Sequence, residues 1–170
     1  MPTLALLRHA KSAWPEGVDD RSRPLTERGT RDAAAAGTWL VGRALVPDVA
    51  LVSPARRAQL TWAEATLAAA ELAEVPTTPA AQVYAASAWT LLQLLQRLDD
   101  SAATVVLVGH CPGVEDLTHL LAGTAEPSAA ARLAGGYPTC GLAVLELPGP
   151  WRSAGPGSAH LADFAVPRAH

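Results

Sequence analysis

A chain of 170 residues, 49% hydrophobic and 17% charged, can bury one full core, and its whole length is read as a single domain, 1–170. A formal charge of −3 argues against a nucleic-acid binder, which carries a basic face, and no apolar stretch approaches the roughly 20 residues that span a bilayer. The start, MPTLALLRHAKS, has no basic leader, and Cys111 and Cys140 form no CxxC, so a cytoplasmic protein with reduced thiols is expected rather than a disulfide framework or zinc knuckle.

TLALL at 3–7 is a continuous apolar run, the pattern of a strand covered on both faces. Thr26 then caps a helix with the apolar stripe Ala33, Ala36, Gly37, Leu40, Val41 and Ala44, stopped by Pro47. A second strand, DVALV at 48–52, leads into SPARRAQLTWAEATLAAAEL, where Ser53 is placed at a helix N-cap and Pro54 at the first helical position. Ser87 caps a third helix with Leu91, Leu94, Leu95 and Leu98 on one face. ATVVLVG at 103–109 is a third buried strand. A fourth helix follows Pro112, turns Val114, Leu117, Leu120 and Leu121 inward, and stops at Gly123. TCGLAVLEL at 139–147 reads as a strand, a Gly/Pro/Ser-rich turn covers 148–158, and AHLADFAV at 159–166 reads as one more strand. There is no internal repeat and no linker. This alternation predicts an α/β fold: a single three-layer domain, with a mostly parallel central sheet and helices on both faces.

In such sheets ligands bind beyond the carboxyl ends of the strands. Three of these ends carry polar groups: Arg8-His9, Ser53-Pro54-Ala55-Arg56-Arg57 and Gly109-His110. Parallel pairing would bring two imidazoles and at least two guanidiniums to one edge. On a chain that is acidic overall, that concentration calls for an anion, and arginine's planar fork matches phosphate oxygens bidentately. Taken singly, each residue has a plainer reading: a strand-end histidine is usually a structural hydrogen-bonder, and an arginine near a helix start is usually solvated. The joint pattern points to a pocket. His9, His110, His119 and His160 show no ligand spacing, so no metal and no other cofactor is expected. His110-Cys111 after an apolar run looks like the opening of a cysteine-phosphatase loop. The arginine that loop needs six residues on is replaced by Leu117, so Cys111 is read as a small packing residue at a helix start.

These motifs resemble those of the histidine phosphatase superfamily. LLRHAKS is similar to its N-terminal Arg-His signature, in which the histidine is phosphorylated during turnover. SPARRAQLT is similar to Ser-Pro-x-x-Arg-Ala-x-x-Thr, which makes Arg57 the motif arginine and Arg56 its solvated neighbour. VGHCPGVED resembles the second-histidine motif, carried by His110. The short length, DRSRPLTERG at 20–29 and YPTCGLAVLEL at 137–147 resemble the SixA-type phosphohistidine phosphatase branch. The resemblance implies a phosphatase that works through a phosphohistidine enzyme intermediate. His9 would present an unprotonated ring nitrogen to phosphorus while its other nitrogen donates to a backbone carbonyl. Arg8, Arg57 and His110 would surround the phosphoryl oxygens, with Arg23 a further candidate for substrate binding.

Two departures stand out. Ala10 occupies the place of the signature's glycine, and no carboxylate is an evident general acid. Asp20 and Glu115 are the candidates; their other reading is capping or ion pairing, Asp20 with Arg23. A missing acid bears on substrate, because an alkoxide leaving group needs a proton. Phosphohistidine, protonated on its other ring nitrogen, leaves as neutral imidazole with a conjugate-acid pKa of about 6.5. No insertion suggests a lid over a small metabolite. The leading expectation is therefore a phosphorylated protein histidine, as in phosphorelay histidine domains. The alternatives are a metal-free phosphatase of small phosphate esters (sugar phosphates or nucleotides) and a non-catalytic phosphate-binding module. Neither a nucleic-acid nor a membrane partner is expected.

Overall fold

Strands that are apolar on both faces must pair on both edges and be covered on both sides, and that requirement organises the molecule. The computed structural model describes Met1–His170. Its strands are β1 (Thr3–Arg8), β2 (Val49–Val52), β3 (Thr77–Pro79), β4 (Thr104–Gly109), β5 (Ala122–Ala125), β6 (Leu142–Glu146) and β7 (Ala159–Ala165). They form one sheet in the order β3-β2-β4-β1-β6-β7-β5. β2 pairs with β3 and β4, β4 with β1, and β5 with β7, all in parallel; β6 runs antiparallel to both β1 and β7. The α/β class and the mostly parallel sheet are as the sequence predicts.

Alternation along the strands divides the core in two. Leu4, Leu6, Leu51, Val105, Leu107, Ala143 and Leu145 face helices α3 (Ala88–Gln96), α4 (Gly113–Leu121) and α5 (Pro127–Ala134). Ala5, Leu7, Ala50, Val52, Val106, Val108, Leu142 and Val144 face α1 (Glu27–Gly42) and α2 (Arg56–Ala68). These are the three layers. On the second face α1 and α2 approach closely at Gly37, where a Cβ would meet the Ala65 carbonyl oxygen at 2.2 Å. Thr26 and Ser87 cap α1 and α3 as expected, accepting from the amides of Gly29 and Thr90.

Four local expectations need correction or refinement. Ser53 does not cap α2: its amide donates to the Val108 carbonyl at 3.0 Å, so sheet pairing continues through it and the helix waits until Arg56, with Ala55 at the N-cap. Gly123 stands just past the end of α4, whose C-cap is Ala122, but no loop follows: the chain passes straight into β5, which begins at Ala122. β3, β5 and α5 were not expected; the two strands are short edge pieces with mostly exposed side chains, which leave no apolar run to read. Finally, α1 ends before Pro47. Ala44 turns left-handed, with φ 56°, and its amide donates to the Val41 carbonyl while that of Leu45 donates to the Leu40 carbonyl. This is a Schellman cap with alanine where glycine is favoured.

An exposed alanine held left-handed carries a backbone penalty of about 1–2 kcal/mol and gains nothing from its methyl group. Ala44→Gly should therefore raise stability by about 1 kcal/mol, read as a higher denaturant midpoint at unchanged slope. An unchanged or lower midpoint would contradict this account of the cap.

Candidate active site

Parallel register carries the three polar strand ends to one place. Arg8 lies opposite Gly109, and Val52 opposite Val108. Two backbone bonds extend the ladder past the strands: the amide of His9 donates to Gly109 and that of Ser53 to Val108. His9 and His110 thus leave adjacent strands side by side, with ring centroids 5.2 Å apart. Together with Arg8, Arg57, Arg23, Lys11, Ser12, Trp14, Cys111 and Thr139 they line one hollow of about 330 Å³. A neighbouring cleft of about 490 Å³ shares Arg57, His110 and Cys111 and adds Asp20, Tyr84, Ser87 and Asp116.

Each ring has a defined setting. His9 Nδ1 lies 2.7 Å from the Ala10 carbonyl oxygen, so in the neutral ring this nitrogen carries the hydrogen and Nε2 keeps a free lone pair. Burial, opposed by that hydrogen bond and reinforced by His110, Arg57 and Arg8, pushes the His9 pKa down to about 3. His110 Nε2 lies 2.7 Å from Ser53 Oγ, and burial followed by the Arg57 charge lowers its pKa to about 4. Both imidazoles are uncharged near neutrality. Ala10 is buried without a left-handed backbone, so the methyl group in the place of glycine meets no conformational penalty.

The guanidiniums are anchored by one edge each. Arg8 Nη1 donates to the Tyr137 carbonyl at 2.7 Å, and Arg57 Nη1 to the Asp20 carbonyl at 2.6 Å. Arg8 Nε, Arg57 Nε and His110 Nδ1 are buried and have no hydrogen-bond partner. Buried polar groups are nearly always paired, so two unpaired guanidinium N–H groups and an unpaired ring nitrogen among residues of one hollow are an unusual concentration of unmet hydrogen bonds. Arg56 is exposed, as expected of the neighbour. Arg23 is buried, donating to Ala13 O, Ser12 Oγ and Asp20 Oδ1, with its guanidinium over the Trp14 ring at 3.2 Å.

Asp20 is ion-paired and hydrogen-bonded. Its carboxylate accepts from Tyr84 at 2.6 Å, from Arg57 Nη2 at 3.1 Å and from Arg23 Nη1 at 3.2 Å. Tyr84 first, then the two arginines, hold its pKa down to about 2. Glu115 lines neither cavity; Asp116, one residue on, lines the cleft. Cys111 is half-buried, its thiol 3.8 Å from the Tyr137 carbonyl, and burial raises its pKa rather than producing a thiolate.

A family model described as histidine phosphatase superfamily (branch 1) matches residues 4–89. The chain belongs to this superfamily. An uncharacterized protein of Mycobacterium tuberculosis (strain H37Rv) is 38% identical over 164 residues, covering 95% of this chain and all of the relative. Among solved structures, a candidate phosphohistidine phosphatase SixA from Agrobacterium tumefaciens is 31% identical with a TM-score of 0.82, covering 98% of this chain and 99% of its own. The protein histidine phosphatase SixA in complex with tungstate shares the fold, with a TM-score of 0.77 at 21% identity over 96% of each chain. The superfamily and its SixA-type branch, expected from the motifs, stand.

Sequence reasoning missed the residues that hold this histidine phosphatase site in place. Thr61, fully buried, accepts from the Ala10 amide at 2.9 Å and donates to the Arg57 carbonyl at 2.7 Å, tying the His9 loop to α2. The motif threonine was a signal for it. Tyr137 opens the YPTCGLAVLEL stretch, which was a signal for it, whereas nothing local marks Tyr84.

The two histidines make stability depend on acid. An unfolded histidine takes up a proton below about pH 6.5, whereas folded His9 stays neutral down to about pH 3. The unfolded state then binds more protons, so stability is complete above that upper value and is lost as pH falls, by up to about 1.4 kcal/mol per pH unit per histidine. Denaturant midpoints of His9→Asn should fall less steeply between about pH 6.5 and about pH 4 than those of the wild type. Equal slopes would mean that folded His9 accepts its proton normally.

Proposed function

We propose that this protein hydrolyses the phosphoryl group of protein phosphohistidine through a phosphorylated His9. The observation that carries the reading is an uncharged imidazole with Nδ1 tied to the Ala10 carbonyl, lining one hollow with Arg8, Arg57 and His110, each of which has a buried unpaired nitrogen. In this reading His9 Nε2 attacks phosphorus, and the two guanidiniums with the His110 N–H receive the equatorial oxygens. Phosphoryl transfer asks chiefly for such positioning and charge stabilisation. Water then attacks the phosphorylated His9 and releases inorganic phosphate.

Substrate class follows from the leaving group. With Asp20 held ionised and Glu115 outside the cavities, no carboxylic acid stands ready to protonate an alkoxide. An imidazole already protonated on its other nitrogen departs neutral and needs no such help. The cleft beside Arg57 and His110 is open to a partner's side chain and carries carboxylates, Asp20 and Asp116, rather than further cations. Together with the SixA-type likeness, this favours phosphohistidine over sugar phosphates or nucleotides, which need the acid.

Turnover of a phosphorylated histidine domain, set against a panel of sugar phosphates and nucleotides, tests the reading. The histidine domain should be dephosphorylated preferentially. His9→Ala should abolish turnover, Arg57→Ala should reduce it by about 10²–10³-fold, and Cys111→Ser should keep most of it. Phosphate binding without any turnover would support the non-catalytic module instead, and a preference for esters the small-ester alternative. A phosphoryl group trapped on sulfur would overturn the role of His9.

A further inference from the structure

Ser53 follows β2, is fully buried, and has two recorded partners for its hydroxyl. It accepts from the Ala55 amide at 3.3 Å, and it lies 2.7 Å from His110 Nε2. The amide is itself a donor, so the serine proton has one acceptor here, the lone pair of Nε2. A neutral ring that accepts at Nε2 must carry its hydrogen on Nδ1, the buried atom with no partner. The opposite tautomer would leave two buried groups unmatched, the serine O–H and a bare Nδ1 lone pair. The first leaves one unmatched, and that one is a donor that an oxyanion would satisfy. Leaving a buried polar group unmade costs more than an average hydrogen bond returns, so this count decides the tautomer.

We propose that Ser53 is a positioning residue that fixes the His110 proton on Nδ1, turning the ring into a donor for a substrate oxyanion. Its place is a property of the sheet. The Ser53 amide is bonded to Val108, two residues before His110, so the same strand pair carries both members. The part about phosphate rests on the function proposed above; the part about the proton does not.

Long-range proton–nitrogen spectra of labelled protein at about pH 7 read the tautomer directly, without activity. In the wild type, His110 should show a protonated Nδ1 and a bare Nε2, and inorganic phosphate should shift the Nδ1 resonance. Ser53→Ala should lose that tautomer or mix it with the other, and kcat/KM on phosphohistidine protein should fall about ten- to hundred-fold, as when an outer partner of a site histidine is removed. Ser53→Thr, which keeps the hydroxyl, should restore the Nδ1–H form. A wild type protonated on Nε2, or an unchanged tautomer in Ser53→Ala, overturns the inference even if Ser53→Ala is inactive. If the wild type has the stated tautomer but hydrolyses no phosphohistidine, the functional reading fails and the role of Ser53 stands. Should Ser53→Ala not fold, Ser53→Cys, whose thiol is the weaker hydrogen-bond donor, gives the same readout, and an unchanged tautomer there overturns the inference.

Discussion

The site depends on the parallel register of β1 and β2 on either side of β4. Pairing sets Arg8 against Gly109 and Val52 against Val108, so three chain segments leave the sheet within one residue of each other. Side chains alternate along a strand, and a slip of one residue would turn every one to the opposite face. The register itself is held by the two apolar layers, because Leu4 and Leu6 must face α3 and α4 while Ala5 and Leu7 face α1 and α2. The geometry of two imidazoles is therefore maintained by hydrophobic packing well below them.

Holding the buried Arg57 and the half-buried Arg8 beside two histidines is costly unless the charges are matched. Asp20 supplies the match for Arg57, and the Tyr137 carbonyl and Asp20 carbonyl orient one edge of each arginine. The histidines add none of their own charge, because burial keeps both neutral. What remains is a local excess of donors on a chain whose net charge is −3. Two buried guanidinium N–H groups among these residues are unpaired, and so is His110 Nδ1, a state that buried polar groups rarely keep without a partner.

Much of this was legible in the sequence. Buried strands announce themselves as apolar runs, and the ends of parallel strands converge by topology, so Arg8, His9, Arg57 and His110 could be gathered before any coordinates. The pairing of Asp20 with Arg23 could also be read, since it spans one short loop. Roles set by contact across the sheet could not. Ser53-Pro54 looks like a helix start, and only the ladder bond to Val108 shows why it is not one. Tyr84 reaches Asp20 across 64 positions, and the Tyr137 carbonyl reaches Arg8 across 129, distances at which composition and periodicity are silent. β3 and β5 were hidden for a different reason: short edge strands with exposed side chains have no core-facing pattern to display.

The bond from His9 Nδ1 to the Ala10 carbonyl links the missing acid to the proposed chemistry in both half-reactions. In the first, the carbonyl keeps the hydrogen on Nδ1 and leaves Nε2 as the nucleophile. In the second, the same hydrogen is already in place on the phosphorylated ring, so His9 departs as a neutral imidazole when water attacks. On the proposed reading, a substrate phosphohistidine protonated away from phosphorus departs in the same form. Donor and acceptor of the phosphoryl group are then chemically alike, and the transfer between them is close to balanced. An alkoxide leaving group would break that balance, because its conjugate acid is far weaker and no protonated carboxyl lies in the hollow to compensate. A site with a tied imidazole, an ionised Asp20 and no acid is thus consistent with one class of leaving group, for a reason that lies in proton affinity rather than in shape.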